Sequence, residues 1–190
     1  MTAMAGQPQQ MPHRTIEINR APVLTLWAAV VAECLGFEHD EALTLGKAVA
    51  GLNACAKGVR LGIYEPTPTT VAERRKAVAH GERLQVNLLH RAVPVARTKE
   101  GLRATAKDRP IKPESVERYL ASKFGPSLED AREAMLHLAR STRPGLLAAQ
   151  AYELYERFRP AIPAGTCGWG ATGVLDLDRI VALADRQPAS

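Results

Sequence analysis

The sequence predicts a mainly α protein: a helical domain with one inserted β-hairpin, in an order that allows a winged-helix-like layout. Three observations carry this reading. Apolar residues recur at three-to-four spacing through most of the chain, glycines and prolines close these stretches at helix-length intervals, and one stretch changes to strict alternation. With 46% hydrophobic and 24% charged residues over 190 positions, the composition is that of a globular chain long enough to bury a core.

The first helix is expected in APVLTLWAAVVAECLG, residues 21–36. Pro22 suits the first helical position, Val23, Trp27, Val30, Val31 and Cys34 share a face, and Gly36 suits the position just past the end. Nearly every other position there is apolar or small, so this helix should be central. Asp40 is a plausible N-cap for the second, residues 40–58. There Gly46, Ala50, Ala54 and Gly58 recur every fourth residue and draw a stripe of minimal side chains along one face. Such a stripe admits a neighbouring backbone: the first helix, returning through a short turn, or a second copy of the chain in a homodimer.

EPTPTT, residues 65–70, interrupts regular structure, and TTVAERRKAVAHG, residues 69–81, reads as a third helix carrying Arg74, Arg75 and Lys76. The period then changes. Residues 92–106 read as the hairpin, with Gly101 in the turn, Pro94 on an edge strand, and Arg97, Lys99 and Arg103 clustered as an exposed basic finger near the tip. Helical spacing resumes at Pro113, with Val116, Tyr119, Leu120 and Phe124 on one side and Gly125 at the exit. Ser127 and Asp130 have the spacing of a capping box for residues 127–140. Leu147, Ala151, Leu154, Tyr155 and Phe158 make a further stripe, and a short last helix follows Asp176. Residues 1–20 are expected to be a flexible tail, 21–112 to hold the helices and hairpin, and 113–190 to pack back on the first part as one compact unit.

Charge is distributed unevenly. Residues 57–112 hold thirteen Lys plus Arg against five Asp plus Glu, a local excess of +8, whereas both flanks are slightly acidic. A segment this lopsided is the footprint of a polyanion-binding surface.

Chemistry is harder to find. GTCGWGATG contains G-x-G-x-x-G at Gly168, Gly170 and Gly173, but no buried strand precedes it and too little chain follows for a second strand, so a turn carrying Trp169 is expected instead of a dinucleotide cradle. Trp27 is expected in the core, and Trp169 as an anchor for the last segment. Cys34 and Cys55 lie in apolar helices and are expected as core residues, while Cys167 sits in the glycine turn. Three cysteines without paired spacing argue against disulfides and structural zinc, and the N-terminus lacks an apolar signal region, so a cytoplasmic location is expected. No two of the five histidines have helical metal-ligand spacing, and Asp176 and Asp178 read as helix-start acids. No cofactor, metal or catalytic residue is therefore assigned.

The leading functional expectation is nucleic-acid binding, to duplex DNA because no Phe, Tyr or Trp occurs from 65 to 118 to stack on bases. Arg74, Arg75, Lys76, Arg97, Lys99 and Arg103 are the candidate contacts. The alternatives are a helical homodimer or adaptor using Gly46, Ala50 and Ala54, and an enzyme of unassigned reaction.

Overall fold

The computed structural model describes residues 13–60, 84–166 and 170–187. Within them the chain is mainly α, with two small antiparallel sheets. In order come β1 (Thr15–Ile18), α1 (Arg20–Cys34), α2 (His39–Arg60), β2 (Leu84–Leu88), β3 (Arg91–Thr98), β4 (Gly101–Ala106), β5 (Arg109–Pro110), α3 (Pro113–Phe124), α4 (Leu128–Ser141), α5 (Pro144–Phe158), β6 (Gly173–Asp176) and α6 (Leu177–Asp185). The expected third helix, with Arg74, Arg75 and Lys76, lies outside the described residues, as do Cys167, Gly168 and Trp169.

Helix α1 is the axis of the core. Every residue from Pro22 to Ala32 is buried, because α2, α3, α4 and α5 all pack around it. An apolar helix surrounded on all sides needs no polar face, which is why its sequence has none. The indole N–H of Trp27 donates to the Ala151 carbonyl at 2.7 Å, and the ring meets Phe158 edge-on with centroids 5.2 Å apart. The helix begins at Arg20, so Pro22 is its third residue instead of its first. The missing N–H still falls among the amides that have no partner within the helix.

Gly46 shows what the small-residue stripe is for. A Cβ on it would stand 2.4 Å from the Thr25 carbonyl oxygen and 2.9 Å from the Ala29 amide nitrogen. The α1 backbone therefore fills that position, and Ala50 is buried within the same chain. Gly46 and Ala50 are thus closed to a second copy, which corrects their reading as a dimer surface. Ala54, one turn on, is half-buried.

The expected hairpin is the centre of a four-stranded meander, order β2-β3-β4-β5. Val95 opposes Ala104 and Thr98 opposes Gly101. Strand β3 is central, so Pro94 is not on an edge. It is tolerated because the β3–β4 ladder runs from Thr98 only as far as Val95, and the Pro94 carbonyl is met by the Thr105 hydroxyl at 3.3 Å. The second sheet joins β1 to β6 and ties Thr15–Ile18 to Gly173–Asp176, so these residues are a strand and not part of a flexible tail. Gly173 is required there: a Cβ would lie 2.7 Å from the Ala161 carbonyl, whose residue exchanges two 3.0 Å backbone bonds with Val174.

The later helices follow their stripes. Val116, Leu120 and Phe124 are buried in α3, and Leu147, Ala151, Leu154, Tyr155 and Phe158 in α5. The capping box at Ser127 does not form. A single 3-10 turn, Gly125–Ser127, leads straight into α4, so Ser127 lacks the extended backbone of a cap and makes no side-chain bond. Asp176 does cap α6, accepting the amides of Asp178 and Arg179.

Candidate nucleic-acid interface

The basic meander is positioned by polar contacts from α2. The Glu41 carboxylate accepts the Leu102 amide at 2.9 Å, and the Thr44 hydroxyl accepts the Ala104 amide at 3.0 Å while donating to the Glu41 carbonyl. Residues three apart on a helix share a face, and amides two apart on a strand point to one edge. The pair therefore covers the Leu102–Ala104 stretch of the β4 edge that the two-residue pairing with β5 leaves open, where hydrogen-bonding groups would otherwise be free. At the β3–β4 turn Gly101 has φ +113, and Thr98 Oγ1 donates to the Gly101 carbonyl at 2.8 Å.

The other two turns have no glycine at their left-handed positions. Leu89 and His90 have φ +47 and +59, and Lys107 and Asp108 have φ +50 and +60. Two successive left-handed residues are the geometry of a two-residue hairpin turn, a position that usually selects Asn-Gly or Asp-Gly. Burial of Leu89 and an edge contact of His90 with Tyr152 hold the first of them. Neither turn has the glycine that marks a two-residue hairpin, and only Asp108 in the second is a turn-forming residue, so β2 and β5 stand out little in the sequence.

Of the predicted contacts, Arg97 and Lys99 are exposed and have no ion pair among the described residues. Arg103 is not on an exposed finger. Its side chain is only 5% exposed, with Nη1 bonded to the Leu102 carbonyl at 3.0 Å and Nη2 facing Asp40 at 3.5 Å and Glu100 at 3.9 Å. The start of α2 supplies that acid, so the tip is docked on the body and Arg103 is withdrawn. Lys107, Arg109 and Lys112, which are not among the contacts expected from the sequence, are also exposed; their signal is the charge excess itself. Arg91 is half-buried, bonded to the Asn53 side chain at 3.0 Å. The exposed cations thus fall into two groups, Arg97, Lys99 and Lys112 toward the β3–β4 turn, and Lys107 and Arg109 toward the β4–β5 turn.

The reactive side chains offer little. Cys34 borders a cavity of about 370 Å³ together with Glu33, Arg132 and Arg140. Burial raises its thiol above the ordinary value despite the nearby Arg140, which holds it in the unreactive protonated form. Cys55 is exposed and not a core residue. It sits on the part of α2 beyond the contact with α1 made at Gly46. His39 Nδ1 meets Glu33 at 2.6 Å and its Nε2 lies 3.5 Å from Glu117, while Arg132 holds the other Glu33 oxygen at 2.7 Å. This cluster joins four helices as a structural tie. Donor atoms of His13, Asp176 and Asp178 lie within 4.8 Å of one another. Asp176 is committed to its cap and Asp178 to the amide and side chain of Arg14, whose hydrogen bonds hold the Asp178 carboxyl below its usual range. Acids at that helix start therefore serve the helix, as the sequence implied.

No family model, no curated protein and no solved structure matches this chain. Among the described residues, no helix is long and apolar enough to cross a membrane.

Proposed function

We propose that this protein binds nucleic acid, duplex DNA in particular, by phosphate contacts from the basic meander, and performs no chemistry on it. The observation that supports the reading is the set of exposed cations on the meander, Arg97, Lys99, Lys107, Arg109 and Lys112, without ion pairs among the described residues. Five residue steps separate the ends of β4, about 17 Å at 3.4 Å per residue. A duplex advances that far in about five base pairs, so the two groups can meet separate phosphates of one molecule. The absence of Phe, Tyr and Trp from 65 to 118 removes the stacking platform of single-strand binders. Helices followed by a basic hairpin are also the layout of winged-helix modules, in which a helix reads the groove and the hairpin lies on the backbone; Arg74, Arg75 and Lys76 would be the groove-facing cations in that arrangement.

The test is a titration of a labelled duplex by fluorescence anisotropy across a salt series. Each phosphate contact contributes about 0.9 to the slope of log K against log salt. Replacing Arg97 and Lys99 together by Ala is expected to lower that slope by about 1.8. A chain that binds no duplex even at low salt overturns the proposal.

A further inference from the structure

A hollow of about 680 Å³ lies between the β3–β4 turn and the start of α3, bordered by Thr98, Lys99, Glu100, Arg103, Lys112 and Glu114. Its wall contains the most deeply buried cation among those of the meander. A guanidinium taken out of water is stabilised only by short, well-aligned charge-assisted bonds, about 2.7–2.9 Å long. Arg103 has no such bond to an acid. Its Nη1 is bonded to the neighbouring Leu102 carbonyl, and its Nη2 stands 3.5 Å from Asp40 Oδ2 and 3.9 Å from Glu100 Oε2. Both acids sit on largely exposed side chains, 55% and 82%, where pairing is screened by water and either can turn outward at small cost.

We propose that this hollow is a binding site for a phosphate group, with Arg103 at its base and Lys99 and Lys112 at its rim. A phosphate carries three oxygens able to reach one guanidinium and an ammonium at once. Lys99 and Lys112 are exposed and unpaired among the described residues. Helix α3 starts at the same place, with Pro113 in its first turn and no side chain capping it, so the positive end of its dipole adds to the field. Asp40, Glu100 and Glu114 oppose this, and they define the ligand. A carboxylate ligand would merely replace one acid by another at Nη2, whereas a phosphate can engage Arg103, Lys99 and Lys112 together once Asp40 and Glu100 turn outward. The hollow opens to solvent and leaves room beside one phosphate for further atoms, such as those of a phosphate ester or the phosphorylated end of a strand.

The site goes beyond the interface proposed above and is tested separately from it. Calorimetric titration of the full chain with inorganic pyrophosphate at low salt is expected to show saturable binding. Lys112→Ala, at an exposed position, is expected to weaken it by about tenfold; Glu100→Gln, which removes a competing acid, is expected to tighten it severalfold. Arg157→Ala, an exposed charge on α5, controls for a general loss of positive field and should leave the affinity unchanged. Absence of saturable heat at about 10 mM pyrophosphate, or equal weakening by the Lys112 and Arg157 variants, overturns the site. A second arm compares duplexes with 5′-phosphate and 5′-hydroxyl ends. Preference for the phosphorylated end, removed by Lys112→Ala, assigns the site to strand ends; equal affinity with pyrophosphate binding retained assigns it to small phosphate esters. Salt-dependent duplex binding without pyrophosphate binding overturns this site and leaves the interface standing, and the converse result does the reverse.

Discussion

Helix α2 has α1 against one side and the first half of β4, beyond its short pairing with β5, against another, and the two contacts are built from opposite chemistry. Toward α1 the approach is backbone to backbone, with Gly46 under the Thr25 carbonyl and apolar side chains of both helices fully buried around it. Toward β4 it is side chain to backbone, with Glu41 and Thr44 each accepting one strand amide. Dispersion and apolar burial fix the first contact over many atoms, and two hydrogen bonds set the register of the second. The first should therefore fail globally when damaged, and the second locally, at the meander that carries the candidate interface.

The largest expected effect tests the α1 side. Gly46→Ala improves helix propensity by about 1 kcal/mol, yet its methyl would sit 2.4 Å from a carbonyl oxygen and 2.9 Å from an amide nitrogen. Neither atom belongs to a flexible side chain, so the helices must separate. The net loss is expected to be about 2–3 kcal/mol, seen as a lower urea midpoint for the whole cooperative transition. A gain in stability would show that the helices are not as closely packed as Gly46 implies.

On the β4 side, Thr44→Val keeps the volume and removes the acceptor of the Ala104 amide. Thr44 and Ala104 are both fully buried, so that N–H is left without a partner, at a cost of about 1–3 kcal/mol. Hydrogen exchange should locate the change: faster exchange in β3 and β4, little change in α1. Uniform loss of protection across α1 would erase the distinction between the two contacts. Because the meander also carries Arg97 and Lys99, the same variant is expected to weaken duplex binding without altering any cation.

The two sides of α2 also differ in how much of them the sequence exposed. The α1 face was legible because Val23, Trp27, Val30 and Val31 repeat at helical spacing and Gly46, Ala50 and Ala54 do the same, and periodicity is a local property. For the same reason Pro113–Phe124 and Pro144–Phe158 were readable from their stripes and breakers. The β4 face was not. Whether Arg103 is exposed depends on Asp40, sixty-three positions earlier, and on a strand edge that Glu41 and Thr44 close. Nothing near Arg103 in the chain marks that. Strands β1 and β6 are four residues each and pair across more than 150 positions, so TIEI, with its short alternation, reads as tail until its partner is known. Leu89-His90 and Lys107-Asp108 adopt left-handed backbone without Gly or Asn; Asp108 is the single local mark of the second turn, and the first has none.

The smallest expected effect isolates propensity from packing on the same helix. Gly51 lies five residues beyond Gly46 in α2, is exposed, and has nothing within 4 Å of an added Cβ. Five residues turn the helix by about 500°, or 140° past a full circle, so Gly51 faces away from α1. Gly51→Ala should stabilise the protein by about 0.5–1 kcal/mol, chiefly by restricting the unfolded chain and improving helix propensity. Paired with Gly46→Ala, it makes the same chemical change at two positions of one helix with opposite expected signs. If both substitutions stabilise, the α1 contact is looser than the geometry at Gly46 requires; if both destabilise, the exposed face of α2 is covered by something that the described residues do not include.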